Sequence, residues 1–373
     1  MRDGFVPYVP NHFSIRPGIV SVRILFVETQ LSGHHKSYLF SLSQACEEPC
    51  VAIPLNKDID FDPSRLYHFR YCGNGKFKYI GMIRDLNAIA KKIQPDIIHF
   101  LYGDDLYRSF GLGLSFLYPK AKKIITCHQV RRSFLRDLSY RNLSRKTSAL
   151  VVHTKKLCED FRSMKINNVH HIEYPYFANN SLIPRQEALR KLGIDNNGYK
   201  TLLYLGGTRF DKGLDILLEA LNGIDGKFHL IIAGKEEDIK RNYIEKATDR
   251  YKEHVSLFLD YLPDETFDLC INAADVVVLP YRKTFDGASG PLGEAVSRYK
   301  MVVGANHKSL GHLIESNDLG RTFESENTDH LRETLQNVIR NDWSPDENYI
   351  QYRESLNPRF FQKKYQELYR SLV

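Results

Sequence analysis

Short apolar runs rich in β-branched residues recur along the chain. Longer stretches with apolar positions every three or four residues separate them. In the first half the runs cover residues 22–28, 50–55, 97–102, 123–128, 149–153 and 170–174. In the second they cover 201–206, 229–234, 255–259, 276–280, 301–305 and 321–324. Few polar residues interrupt them, as expected for strands buried on both faces of a parallel sheet. Strand and helix alternating in this way make βα units, whose ligands bind beyond the carboxyl ends of the strands. The expected fold class is α/β, with two sets of about six strands forming two Rossmann-like domains.

Helical periodicity is clearest after Gly213, where Leu214, Leu217, Leu218 and Leu221 share one face and Asn222-Gly223 can end the helix. Another helical pattern, 264–274, leads directly into the run at 276–280. Residues 175–186 contain Pro175, Asn179, Asn180, Ser181 and Pro184 and have little periodicity, so they read as a hinge. The chain has 373 residues, and domains of roughly 100–200 residues make two the natural number. The division expected is an N-terminal domain over 1–178 and a C-terminal domain over 179–356.

Composition narrows the class. Hydrophobic residues make up 42% and aromatics 12%, enough for a core in each half and unlike a disordered chain. The first twenty residues carry Pro7, Pro10 and Pro17 and no long apolar run, so they do not read as a signal peptide. No stretch approaches the ~18 continuous apolar residues of a membrane span. The cysteines Cys46, Cys50, Cys72, Cys127, Cys158 and Cys270 are scattered and read as buried free thiols of a cytoplasmic protein. The formal charge is +7, but 13 Lys and Arg against 3 acidic residues lie between Lys120 and Lys165. Such a segment suits an anionic partner: nucleic acid, a lipid surface or a phosphorylated substrate. No base-stacking or reading motif accompanies it, so nucleic acid is not the expected partner.

Two segments carry candidate chemistry. Gly206-Gly207-Thr208-Arg209-Phe210-Asp211-Lys212-Gly213 lies between a strand and an amphipathic helix. Glycine lets backbone N–H groups approach an anion, Arg209 offers a planar fork for phosphate oxygens, and Lys212 adds a point charge. The spacing matches neither the P-loop nor the dinucleotide fingerprint. Taken alone, it fits a plain strand-to-helix turn with solvated cations equally well. The second segment, Phe285-Asp286-Gly287-Ala288-Ser289-Gly290-Pro291-Leu292-Gly293-Glu294, follows the run at 276–280. Proline suits the first turn of a helix, whose N-terminus attracts anions. Glu294 could accept two hydrogen bonds from a ribose diol or could serve only the helix dipole.

The order of these motifs resembles glycosyltransferase family 4, a retaining, group 1 type of the GT-B fold. The residues that carry the resemblance are the Arg209/Lys212 turn, Leu230–Gly234, Asp260-Tyr261-Leu262-Pro263-Asp264-Glu265, the run from Ala273 to Tyr281, and the Asp286…Glu294 loop. The C-terminal half carries the specific motifs and the N-terminal half matches more loosely. The resemblance implies that Arg209 and Lys212 bind the donor diphosphate beside Gly207, with Ser289, Gly290, Pro291 and Leu292 at its other face. Glu294 matches the ribose-binding glutamate. Asp286 stands where the family has a sugar-contacting glutamate, one methylene longer. Lys235, Tyr261 and Leu262 resemble walls of the base pocket. In the first half, His128 matches a histidine facing the donor sugar near the reaction centre, and Gly33 matches the glycine loop beside diphosphate and acceptor. The adjacent His34 and His35 belong to that loop or simply begin a helix. Residues 357–373 resemble the family's C-terminal helix that crosses back to the first domain.

The implied activity is retaining transfer of a hexosyl group from a UDP- or GDP-sugar substrate, with no cofactor and no metal. Asp58-Ile59-Asp60 has the spacing of a metal motif but lies far from the others. Arg209, Lys212 and the helix start at Pro291 would stabilise the leaving diphosphate in place of a metal. His128 and Asp286 would face the reacting sugar. The implied acceptor is a lipid-linked or cell-surface glycan precursor in polysaccharide biosynthesis. The region Arg131 to Lys146, with Phe134, Leu135, Leu138, Tyr140 and Leu143, would meet an anionic inner membrane surface. A nucleotide-sugar epimerase on the same fold, a catalytically silent scaffold and a nucleic-acid-binding protein stand as alternatives.

Overall fold

A computed structural model describes residues 22–31, 34–70, 76–103, 106–128, 130, 133–177, 182–224, 227–285 and 287–373. Among these residues thirteen strands form two parallel sheets. The first contains β1 (Arg23–Val27), β2 (Glu48–Pro54), β3 (Leu66–Phe69), β4 (Ile97–Phe100), β5 (Lys122–Cys127), β6 (Ala149–Val152) and β7 (Val169–His171), in the order β3-β2-β1-β4-β5-β6-β7. The second contains β8 (Lys200–Leu205), β9 (Phe228–Ala233), β10 (Val255–Phe258), β11 (Val276–Leu279), β12 (Met301–Ala305) and β13 (Gly320–Phe323), in the order β10-β9-β8-β11-β12-β13. Both are Rossmann-like, with strand order reversing beside the first strand of each half, where crevices for ligands open.

Each of the twelve strands expected from the apolar runs is present, within two residues of its expected bounds except β7, which ends three residues short of 174. The central strands are almost entirely buried, because helices cover both faces, whereas β7, β10 and β13 toward the sheet edges are largely only partly buried. The strand the runs do not mark is β3. It is short, sits at the sheet edge and keeps three of its four residues partly or fully exposed, so no continuous apolar run announces it. The leucine face after Gly213 becomes the helix Leu214–Asn222, with all four leucines buried. The helix Asp264–Ala273 follows Pro263 and leads into β11 as expected.

Among the described residues the chain passes between the halves twice. The first crossing follows Phe177; the second runs from the helix Glu347–Ser355, packed on the second half, to the helix Pro358–Leu372. Asn357 caps that last helix by accepting from the Arg359 amide at 2.9 Å. Its Phe361, Tyr365, Leu368 and Tyr369 join the core of the first half with Phe26, Tyr38 and Leu39. The Tyr365 hydroxyl lies 2.6 Å from that of Tyr38 and 3.1 Å from Thr126 Oγ1. His99 Nδ1 lies 2.8 Å from the Tyr369 hydroxyl, and His99 Nε2 lies 2.9 Å from Thr126 Oγ1.

Candidate active site

The turn after β8 is set by its glycines and by one threonine. Gly213 has φ +67° and lies against the Pro280 carbonyl, so a side chain there meets both backbone strain and a collision. Thr208 Oγ1 donates to the Ile239 carbonyl and accepts from the Glu237 amide, at 2.8 Å each. Backbone bonds from Thr208 N to Lys235 O and from Glu236 N to Leu259 O tie this turn to the loops after β9 and β10. Lys235 and Tyr261 are exposed there, while Leu262 packs on the second-half core. The residues read as diphosphate and base contacts therefore share one end of one sheet.

Arg209 is half-exposed and forked onto Asp211, with Nε and Nη2 donating at 2.9 and 2.8 Å. That hydrogen-bonded carboxylate holds the guanidinium firmly charged. Lys212 directs its ammonium between two aromatic rings, 3.7 Å from the Tyr281 centroid and 3.9 Å from that of Phe285. Loss of hydration, with the Arg209 charge nearby, pulls its pKa down to about 7. The Tyr281 hydroxyl lies 2.9 Å from Ser289 Oγ, which caps the helix Gly290–Ser297 by accepting from the Leu292 amide at 3.3 Å. A continuous set of contacts thus runs from Lys212 through Tyr281 to the helix start. A Cβ on Gly206 would lie 3.8 Å from Pro291, so the two glycine-bearing segments, about eighty residues apart, face each other.

Glu294 is buried in the first turns of that helix. Its Oε1 accepts from the Phe177 amide at 3.0 Å and its Oε2 from Arg298 Nη1 at 2.8 Å. Arg298 is buried and also reaches Asp268 at 2.5 Å. A ribose at Glu294 would therefore share a carboxylate already engaged with the first crossing. The sequence offers no sign of this engagement, since Arg298 and Asp268 lie thirty residues apart.

The opposing wall comes from the first half. His128 directly follows β5, is buried, and has Nε2 2.8 Å from the Leu101 carbonyl. Its ring touches those of His153 at 5.0 Å, Tyr38 at 5.1 Å and His35 at 5.6 Å. It is thus a member of an aromatic cluster at the carboxyl ends of the strands. His153 Nδ1 lies 2.8 Å from the Ile172 carbonyl, and burial draws its pKa down to about 4. Thr154 Oγ1 meets Ser309 Oγ at 3.1 Å across the cleft floor. A small cavity between the halves is lined by His153, Glu173, Tyr174, Ala288, Ser289 and Leu292. Glu28, directly after β1, is a buried acid that the sequence reading gave no role; a charged residue ending an apolar run was the available signal.

Gly33, Asp286 and Arg131 lie outside the described residues, as does Cys72. Cys50, Cys127, Cys158 and Cys270 are buried and Cys46 is partly buried, all as free thiols. Among the described residues no group of three His, Cys, Asp or Glu is arranged to hold a metal ion, Asp58 and Asp60 included. No described helix is long and apolar enough to cross a membrane. The basic segment does not form one face: Lys122 and Lys123 lie on β5, and Lys155 and Lys156 on a separate helix. Phe134, Leu135 and Leu138 on the helix Phe134–Lys146 are exposed, whereas Tyr140 and Leu143 are core residues. Asn142 and Lys146 hold the neighbouring loop through the Phe110 carbonyl, and that loop exposes Leu112 and Phe116.

The family described as glycosyl transferases group 1 matches residues 185–355. No curated protein matches the chain in sequence. Among solved structures, sucrose-phosphate synthase from Thermosynechococcus elongatus is similar with a TM-score of 0.76 at 17% identity, covering 94% of this chain and 99% of that one. Anabaena HepE in complex with UDP-glucose has a TM-score of 0.72 at 15% identity, covering 94% and 100%. WaaG, a glycosyltransferase involved in lipopolysaccharide biosynthesis, has a TM-score of 0.67 at 16% identity, covering 92% and 99%. At these identities the likeness establishes the two-domain fold that the structures share.

Proposed function

We propose that the chain is a glycosyltransferase that moves a sugar from a nucleoside diphosphate to a glycan acceptor with retention of configuration, a reading supported by the match of residues 185–355 to the group 1 glycosyl transferases and by the GT-B fold. One observation carries this reading: Lys212, Tyr281 and Ser289 join the cationic turn after β8 to the start of the helix Gly290–Ser297. Two anion-binding features then converge on one spot, as a diphosphate requires. Arg209 keeps its Nη1 edge for a phosphate oxygen while Asp211 fixes the other edge. Cleavage of the bond to the sugar builds charge on the β-phosphate. Arg209, Lys212 and the helix dipole stabilise that charge without a metal. The departing phosphate assists loss of the acceptor proton on the same face. His128 and Asp286 act on the sugar side, Glu294 on the ribose, and Lys235, Tyr261 and Leu262 beside the base. Solved structures of HepE with UDP-glucose support a UDP-sugar, with a GDP-sugar as the other donor to test.

The acceptor in this reading is a lipid-linked or surface glycan precursor, supported by the likeness to WaaG, and the site of action is the cytoplasmic face of a membrane. Exposed Phe134, Leu135 and Leu138, with Arg141 and Arg145 on the same helix, suit an anionic lipid surface. A thermal-shift panel over UDP, GDP, ADP and their sugars tests the donor site. A nucleotide at 100 times its dissociation constant stabilises the fold by about 2.7 kcal/mol. Arg209→Ala and Lys212→Ala each abolish transfer while the fold remains. Full activity in both variants would remove the diphosphate assignment.

A further inference from the structure

Three consecutive acids, Glu236, Glu237 and Asp238, follow β9 beside the cationic turn. The outer two build the loop. Glu236 Oε2 accepts from the Arg241 amide at 3.0 Å, where the helix Arg241–Ala247 begins, and its Oε1 lies 3.5 Å from Lys240 Nζ. Asp238 Oδ2 accepts from the Phe210 amide at 2.9 Å. The middle acid has no such task. No hydrogen bond or ion pair to the Glu237 carboxylate occurs among the described residues.

The backbone nevertheless fixes where Glu237 lies. Its amide donates to Thr208 Oγ1 at 2.8 Å, and the Thr208 amide donates to the Lys235 carbonyl at 3.0 Å. These bonds lay the Glu237 side chain across Gly207. A Cβ on that glycine would collide with Glu237 Oε2 and lie 3.0 Å from the carboxyl carbon. The charge of Glu237 reaches both cations of the turn. Asp211 raises the Arg209 pKa through its hydrogen bonds, and Glu237 adds to that rise. Burial lowers the Lys212 pKa, and Asp211 and Glu237 oppose the fall. Glu237 thus stands, partly buried, in the field of two cations without pairing with either. A charge drawn partly out of water with no partner costs free energy, and acidic neighbours on both sides add repulsion.

In the donor-site reading the diphosphate lies beside Gly207, on the backbone that Glu237 covers. Two anions do not share that place, so an arriving diphosphate meets the carboxylate first. We propose that Glu237 is a displaceable resident anion of the donor site, which a nucleoside diphosphate pushes aside on entry and which loosens the diphosphate when it swings back. Glu237 therefore lowers donor affinity where Arg209 and Lys212 raise it, and its return favours release of the spent nucleotide. The assignment rests on the glycosyltransfer reading above, which supplies the diphosphate.

Titration calorimetry of the full chain with UDP, GDP and ADP tests it. Glu237→Gln keeps the backbone amide and the size of the side chain and removes only the charge. For the diphosphate that binds wild type, Kd in Glu237→Gln falls about fivefold, the scale of losing one like charge near the protein surface. Glu236→Gln removes the same charge one residue away, from a carboxylate turned toward Arg241 and Lys240, and changes Kd far less. A Kd in Glu237→Gln equal to wild type overturns the proposal, and a higher one makes Glu237 a direct contact of the nucleotide instead. An equal gain in Glu236→Gln also overturns it, because net charge alone then accounts for the effect. Each of those outcomes leaves the donor site standing. If no nucleotide binds either wild type or Glu237→Gln, the glycosyltransfer reading falls and the proposal falls with it.

Discussion

Glu294 accepts a hydrogen bond from the backbone amide of Phe177, joining the proposed ribose contact to the first crossing between the halves. The same carboxylate is anchored by Arg298, which binds Asp268 with its other nitrogen. Removing Arg298 leaves two buried acids without their cation. Arg298→Met therefore destabilises the fold by about 3–5 kcal/mol, read as a lower urea midpoint with unchanged slope. Nucleotide affinity falls in the same variant, because Glu294 loses its fixed orientation.

Acid sensitivity follows from two buried imidazoles. Burial lowers the pKa of His99 to about 3 and of His153 to about 4, against about 6.5 when unfolded. Between those values the unfolded chain binds more protons, so stability is fully present above pH 6.5 and declines as pH falls toward 4 and 3. Each group contributes on the order of 3 kcal/mol over that window. Thermal melts from pH 7 to 4 should show the decline, and His153→Gln should flatten part of it.

Lys212 acts in the same direction at higher pH. Its folded pKa of about 7 lies below the unfolded value of about 10.4. Between them the unfolded chain holds the extra proton, so this residue makes stability rise with pH, and below 7 its buried charge opposes folding. A diphosphate beside the ammonium raises the bound pKa. UDP binding at pH 8 should therefore take up close to one proton, and at pH 6 almost none. Calorimetry in buffers of different ionisation enthalpy measures this uptake, and Lys212→Ala should abolish it.

The fold was readable because parallel strands buried on both faces leave continuous apolar runs, as at β8 and β11. β3 left no such run, being a half-exposed edge strand. The turn around Arg209 was readable from glycines that only a special backbone requires, as the left-handed Gly213 shows. What surrounds the charged residues was not. Asp211 could be named as a neighbour of Arg209, but the rings of Tyr281 and Phe285 around Lys212 come from another strand's loop. Local pattern records backbone demands; pairings over long separations are recorded only in the packed structure.

The exposed apolar residues of the helix Phe134–Lys146 give a separate prediction. Phe134→Glu combined with Leu135→Glu should reduce co-sedimentation with phosphatidylglycerol vesicles at least tenfold, since two apolar contacts become repulsive charges. Melting temperature should change little, because both side chains are exposed. Binding equal to wild type would remove this face from the membrane proposal.

The two crossings between the halves touch: the Tyr176 amide donates to the Leu356 carbonyl at 3.3 Å. A single tether would let one half swivel in any direction. Two tethers laced together at one point act as a pin, and relative motion reduces to a swing about it. The jaw then opens farthest from the pin. Glu294, bonded one residue along at Phe177, sits close to the axle, where a small local displacement corresponds to a large displacement at the rim.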